Sequence, residues 1–287
     1  FDFQDRITES VVIVIEPQIQ RAEVIRSRQR RPGNLLAYDL YLQAVPIAMR
    51  ASIESNDTAL ALLEKAIELD PGYAIAVVSV AWVLEHRIAM GWPASGSDDR
   101  KRCLDIARAA MALAPDDPLV LAHGGRCMQV AGRDYDGGLV TVMRAVRANP
   151  NHAHVILCAG AAHLQGGDLD QAMPLFRRLA SLDLLETFVA QTCIAQVEMC
   201  RGNYELALES AHQSLAANPD FDPTHWIIVT CNAHLGRMEK ARSALATYLA
   251  VMPAITLGRL RVSQHTKDPN RAAILLDGLR KAGMRER

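Results

Sequence analysis

The sequence predicts an all-α solenoid built from helix pairs, and three observations carry that expectation. An alanine-rich turn followed by Pro returns along the chain, as Lys65-Ala-Ile-Glu-Leu-Asp-Pro71, Arg108-Ala-Ala-Met-Ala-Leu-Ala-Pro115, Arg144-Ala-Val-Arg-Ala-Asn-Pro150 and His212-Gln-Ser-Leu-Ala-Ala-Asn-Pro219. From Pro115 the steps run to Pro150, Leu184, Pro219 and Pro253, alternately 35 and 34 residues apart. A fixed period of this length marks stacked repeats rather than one globular core. Finally, apolar residues within each period recur at helical spacing, with two helices per period.

Residues 151–184 show the grammar. A first helix over about 151–165 offers Val155, Ile156, Ala159 and Ala162 for packing. Gly166-Gly167 ends it, because glycine accepts the left-handed cap conformation. Asp168 can cap the second helix, whose stripe is Leu169, Ala172, Leu175, Phe176 and Leu179. The same turn returns as Arg201-Gly-Asn-Tyr-Glu-Leu-Ala207 and His234-Leu-Gly-Arg-Met-Glu-Lys-Ala241, and with one extra residue in Ala131-Gly-Arg-Asp-Tyr-Asp-Gly-Gly138. Gly124-Gly125 and Gly137-Gly138 fall where helices touch or turn, so packing accounts for them.

Six units are expected over 35–253. The second carries an insertion, Met90-Gly-Trp-Pro-Ala-Ser-Gly-Ser97, which in repeat arrays maps to a loop on one face. Residues 254–287 do not repeat, and Asp268-Pro-Asn-Arg-Ala-Ala-Ile-Leu-Leu-Asp-Gly-Leu reads as a C-terminal helix capping the stack. Residues 1–34 read as an N-terminal amphipathic helix and linker, with Ile7, Val11, Ile15, Ile19, Ala22 and Ile25 on one face and a kink at Pro17. The Val11–Ile15 stripe is expected to pack on the first repeat, on a second copy as a homodimer, or on a domain upstream. The chain opens on Phe1 rather than Met, so it is expected to be a piece of something longer.

Composition excludes several classes. Half of the residues are hydrophobic but only 5% are aromatic, and 31 basic side chains balance 32 acidic ones at a net charge of −1. Nothing draws the whole chain to nucleic acid or an anionic membrane. The basic run Arg26-Ser-Arg-Gln-Arg-Arg31 could bind the phosphates of a nucleic acid, but it lacks interleaved aromatics, and a solvated helix end is the favoured reading. No apolar run approaches the ~20 residues that span a bilayer, and no signal peptide is seen. Six scattered cysteines with no CxxC pair read as buried free thiols in a reducing compartment, so a cytoplasmic location is expected.

Catalytic and metal motifs are not expected. There is no Gly-x-Ser-x-Gly elbow and no phosphate-cradling loop. His152 and His154 are two apart and point to different sides of a helix, while His163 lies more than two turns from His154. That spacing does not converge on one ion, so no metal and no cofactor are expected.

The repeated sets Gly202/Tyr204/Ala207/Pro219, Gly167/Leu169/Ala172/Leu184, Gly236/Met238/Ala241/Pro253 and Ala59/Leu63/Ala66/Pro71 resemble the tetratricopeptide repeat family. Leu184 departs from the terminal Pro, and Ser214 and Tyr248 depart from the second small residue, which implies looser or rotated joints there. The resemblance implies a right-handed α-α superhelix whose first helices line a concave, protein- or peptide-binding groove. Carried over position by position, the groove would comprise Trp82, Glu85 and His86; Arg126 and Gln129; His154, Leu157 and Gln165; Thr192, Gln196 and Met199; and Trp226, Thr230 and His234. For Trp82 and Trp226, filling space between helices is an equal alternative.

The opening Phe-Asp-Phe-Gln-Asp-Arg-Ile-Thr-Glu-Ser, with Ile15-Glu-Pro-Gln-Ile19 and Ala37-Tyr-Asp-Leu-Tyr-Leu42, looks like a segment of bacterial signalling proteins. In that group a tetratricopeptide region follows a class III adenylate/guanylate cyclase domain or a winged-helix DNA-binding domain. The resemblance implies a non-catalytic regulatory segment controlling an upstream output domain. A groove that senses a small molecule or peptide is a further alternative.

Overall fold

A computed structural model describes residues 32–50, 52–182, 187–219 and 221–287. The N-terminal stripe, the basic run 26–31 and Leu184 lie outside the described residues.

Fourteen helices and no strand occur among the described residues. Six antiparallel pairs follow one another: α1 (Pro32–Ala48) with α2 (Ile53–Leu69), α3 (Ala74–Met90) with α4 (Asp99–Leu113), α5 (Pro118–Val130) with α6 (Tyr135–Ala148), α7 (Ala153–Gly166) with α8 (Leu169–Leu182), α9 (Thr187–Cys200) with α10 (Tyr204–Ala217), and α11 (Asp222–His234) with α12 (Met238–Val251). A short helix α13 (Leu257–Ser263) and a final α14 (Pro269–Ala282) complete the chain. The first helices of successive pairs touch one another along one side, α3 on α5, α5 on α7 and α9 on α11, so the stack is an all-α superhelix.

Local chemistry starts and stops these helices. Asp98, Asp117, Asp134 and Asp268 sit at N-caps, and their carboxylates accept from backbone N–H groups of the first turn. Asp168 does the same for α8, accepting from the Gln171 N–H at 3.1 Å. Gly167 closes α7 at φ +90°, a left-handed cap that a side chain would strain.

The repeat period has a packing cause. Ala59, Cys103, Ala172, Ala207 and Ala241 are wholly buried at one register, and Gly138 occupies the same register. A Cβ on Gly138 would lie 2.5 Å from the Gly125 carbonyl oxygen, and one on Gly125 2.6 Å from that of Gly138. The α5–α6 crossing therefore brings backbone against backbone. The second register holds Ala66, Ala110, Ala145, Ser214 and Tyr248, all wholly buried. At the joints where looser or rotated packing is expected, the Ser214 and Tyr248 side chains are closely surrounded. Ser214 Oγ lies 2.8 Å from Thr192 Oγ1 and 3.1 Å from Thr224 Oγ1, and the Tyr248 ring stacks parallel to His225 at 6.2 Å.

Two segments differ from the sequence reading. The insertion after α3 is not simply a surface loop, because Trp92 turns inward, is 6% exposed and meets His86 edge-on at 5.4 Å. Residues 254–287 do more than close the end of the stack. They form a helical hairpin that folds back along the inner helices, and a Cβ added to Gly91 at the end of α3 would lie 3.1 Å from Ser263. Helix α14 returns across α9 and α11, and the hairpin closes on itself where Leu257 and Gly258 donate to the carbonyls of Arg285 and Glu286 at 3.0 Å. Its apolar side, Ile255, Leu257, Leu260, Leu275 and Leu279, joins the core of the last two pairs. Amphipathic spacing does not say which surface a terminal helix will cover.

Candidate functional site

The first helices place a band of polar and aromatic side chains on the inner face. Helix α3 contributes Trp82, Glu85 and His86, and α5 contributes His123, Arg126 and Gln129. Helix α7 adds His154, Leu157 and Gln165.

At its centre stands Arg126. Its guanidinium pairs with the Glu85 carboxylate at 3.0 Å, reaches Gln129 Oε1 at 3.2 Å and donates to the Gln165 side-chain oxygen. Both charged side chains are nearly buried, so the pair survives only because each member satisfies the other. Burial raises the Glu85 carboxyl above its usual range, against the opposing pull of Arg126. Gln129, wholly buried, donates to the Tyr135 carbonyl at 3.0 Å and the Ala162 carbonyl at 3.3 Å, tying α5 to the neighbouring pair.

The network continues into the hairpin. The Gln165 amide contacts the His265 ring, the Gln165 carbonyl accepts from the Lys267 N–H at 2.8 Å, and Lys267 Nζ pairs with Asp136 at 2.8 Å. Residues 264–268 thus cross the inner face as a non-helical stretch of polypeptide held by main-chain and side-chain hydrogen bonds.

Toward the C-terminal end the predicted groove residues are covered. Thr230 is wholly buried because Gly278 of α14 presses on it: a Cβ there would lie 2.7 Å from Thr230 Cγ2. His234 Nε2 meets the Ile274 carbonyl at 2.9 Å while its ring stacks on Tyr204 at 4.9 Å. Gln196 faces Arg271 of α14 at 3.5 Å. Thr192, Met199 and Trp226 are buried in packing, Trp226 and Met199 within the core of the last two pairs.

Trp82, His86, His154 and Leu157 remain half-buried, whereas Arg126 is nearly buried among its partners. Their surroundings are aromatic, since Trp82 packs against His123 at 5.2 Å and His154 at 5.5 Å, and the two imidazoles lie 4.5 Å apart. Burial and the Arg126 charge lower His86 to about 4, and burial with neighbouring His152 lowers His154 to about 3. His163, near Asp168 at 3.7 Å, is separate from this cluster. Sequence reasoning missed His123 and Cys158. The His154–Cys158 spacing of four was visible in α7, whereas the approach of His123 belongs to the stacking of two pairs.

The class defined by this fold is the tetratricopeptide-like superhelix. Residues 194–254 match the family model "Tetratricopeptide repeat". Among solved structures, the chain is similar to the Cut9 and Hcn1 hetero-tetramer of the APC/C at a TM-score of 0.62, with 14% identity over 85% of this chain and 45% of the other. It is also similar to TTC0263, a thermophilic TPR protein of Thermus thermophilus (TM-score 0.52, 19% identity, 73% of this chain and 99% of the other). PilW, described as a widely conserved type IV pilus biogenesis factor, gives 0.51 at 18% identity over 72% and 89%. No curated protein matches the chain in sequence. No described helix is long and apolar enough to cross a membrane.

Proposed function

We propose that this chain is a non-catalytic protein-interaction module whose inner face takes a polypeptide segment of a partner. One observation carries the reading: the inner face already holds polypeptide, residues 264–268, through the Gln165 carbonyl and the Arg126–Gln165–His265 contacts. The half-buried stretch formed by Trp82, His86, His154 and Leu157, beside the nearly buried Arg126, continues that track toward the first pairs and is where a partner segment would lie. Trp and Arg supply binding energy in such settings because they bury large area or satisfy several acceptors at once.

The resemblance of the opening segment to bacterial signalling proteins supports a finer version. In it, occupancy of the groove biases the geometry or self-association of an output domain upstream, a nucleotide cyclase or a winged-helix regulator. The even charge balance favours a protein over a nucleic acid as partner. The test uses the partner segment identified by photocrosslinking from the inner face. Trp82→Ala is expected to weaken its binding to the full chain at least tenfold, and Leu206→Ala on the exposed outer surface to leave it unchanged. Equal binding by both variants would place the partner elsewhere.

A further inference from the structure

Helix α7 carries His154 and Cys158 one turn apart, so both project from the same side of the helix. Helix α5 of the preceding pair brings His123 against them. One ring nitrogen of each histidine and the Cys158 thiol lie within 4.8 Å of one another. His123 Nδ1 and His154 Nε2 are buried with no hydrogen-bond partner, an arrangement that native interiors rarely leave without a use. The nearby Arg126 charge is offset by Glu85 at 3.0 Å, so the cluster does not face an uncompensated cation.

We propose that His123, His154 and Cys158 form a zinc(II) site joining two adjacent helix pairs. Two imidazoles with one thiolate suit a borderline-soft late first-row cation and not magnesium or calcium. Three protein ligands leave the fourth tetrahedral position to an exchangeable water. Zinc–nitrogen and zinc–sulfur bonds of about 2.1 and 2.3 Å place such ligand atoms roughly 3.5 Å apart, so modest side-chain rotation closes the site. On binding, Sγ loses its proton to solvent and forms the Zn–S bond, and each histidine donates a lone pair without a proton change at the ligating nitrogen. The bonds clamp α5 to α7 beneath Trp82.

Full chain stripped of metal under reducing conditions and titrated with cobalt(II) is expected to bind one equivalent. The complex should show a thiolate-to-cobalt charge-transfer band that zinc(II) then displaces. Cys158→Ser removes the band, His123→Gln and His154→Gln each weaken binding at least tenfold, and Cys231→Ser changes nothing. Absence of the band in the wild-type chain overturns the site without recourse to any variant. A band that persists in Cys158→Ser, or unchanged affinity in folded His123→Gln and His154→Gln, overturns it equally.

Discussion

The backbone N–H of Lys267 donates to the carbonyl of Gln165 at 2.8 Å, joining the tip of the C-terminal hairpin to the end of the inner helix of the fourth pair. The Lys267 ammonium reaches on to Asp136 of the third pair. Hairpin and superhelix are therefore joined through the inner face.

The Arg126–Glu85 pair predicts a steep and asymmetric cost. Arg126→Met strands a buried carboxylate and is expected to destabilise by about 3–5 kcal/mol. Glu85→Met combined with Arg126→Met should recover most of that loss, because no charge is then left alone. Urea unfolding of the wild-type chain and the two variants measures both effects.

His86 predicts a loss of stability in acid. Its folded-state value, about 4, lies below the unfolded 6.5, so the unfolded chain binds the proton first. The stabilising difference is full above about pH 6.5 and is lost as the pH falls toward 4, a change of about 3 kcal/mol. Melting temperature against pH should fall over that window, and His86→Gln should lessen the fall by its own share, leaving the part contributed by the other buried histidines such as His154.

Backbone contact at the α5–α6 crossing predicts that Gly125→Ala destabilises by about 1–3 kcal/mol, since its Cβ has Gly138 O and Val142 Cγ2 at 2.6 Å. Gly166→Ala at the end of α7 is the control, with nothing within 4 Å of its Cβ. It is expected to be neutral or stabilising by about 0.5–1 kcal/mol. Denaturant midpoints separate the two.

The fold was legible because each repeat states its own rules locally. The helix expected over about 151–165 runs Ala153–Gly166, and the cap at Gly167 and the start at Asp168 follow from residues adjacent in sequence. What escaped was non-local. Tyr248 breaks the small-residue pattern yet is wholly buried, because the hairpin's Ile255, Leu257 and Leu275 close around that core. Repeat spacing alone implies an inner face open throughout. Thr230 and His234 are covered because Gly278 lets α14 approach closely, a contact that no spacing rule reveals. The His123–Cys158 approach was hidden for the same reason: its members come from different repeats.

The most direct test of the groove is site-specific photocrosslinking in cells of the source organism. A photoreactive residue replaces His86 on the inner face or Leu206 on the outer surface of the full chain. Position 86 is expected to capture a defined partner segment, mapped by mass spectrometry of the crosslinked peptides, and position 206 is not. Capture of the same segment from position 206, with none from position 86, would contradict this expectation.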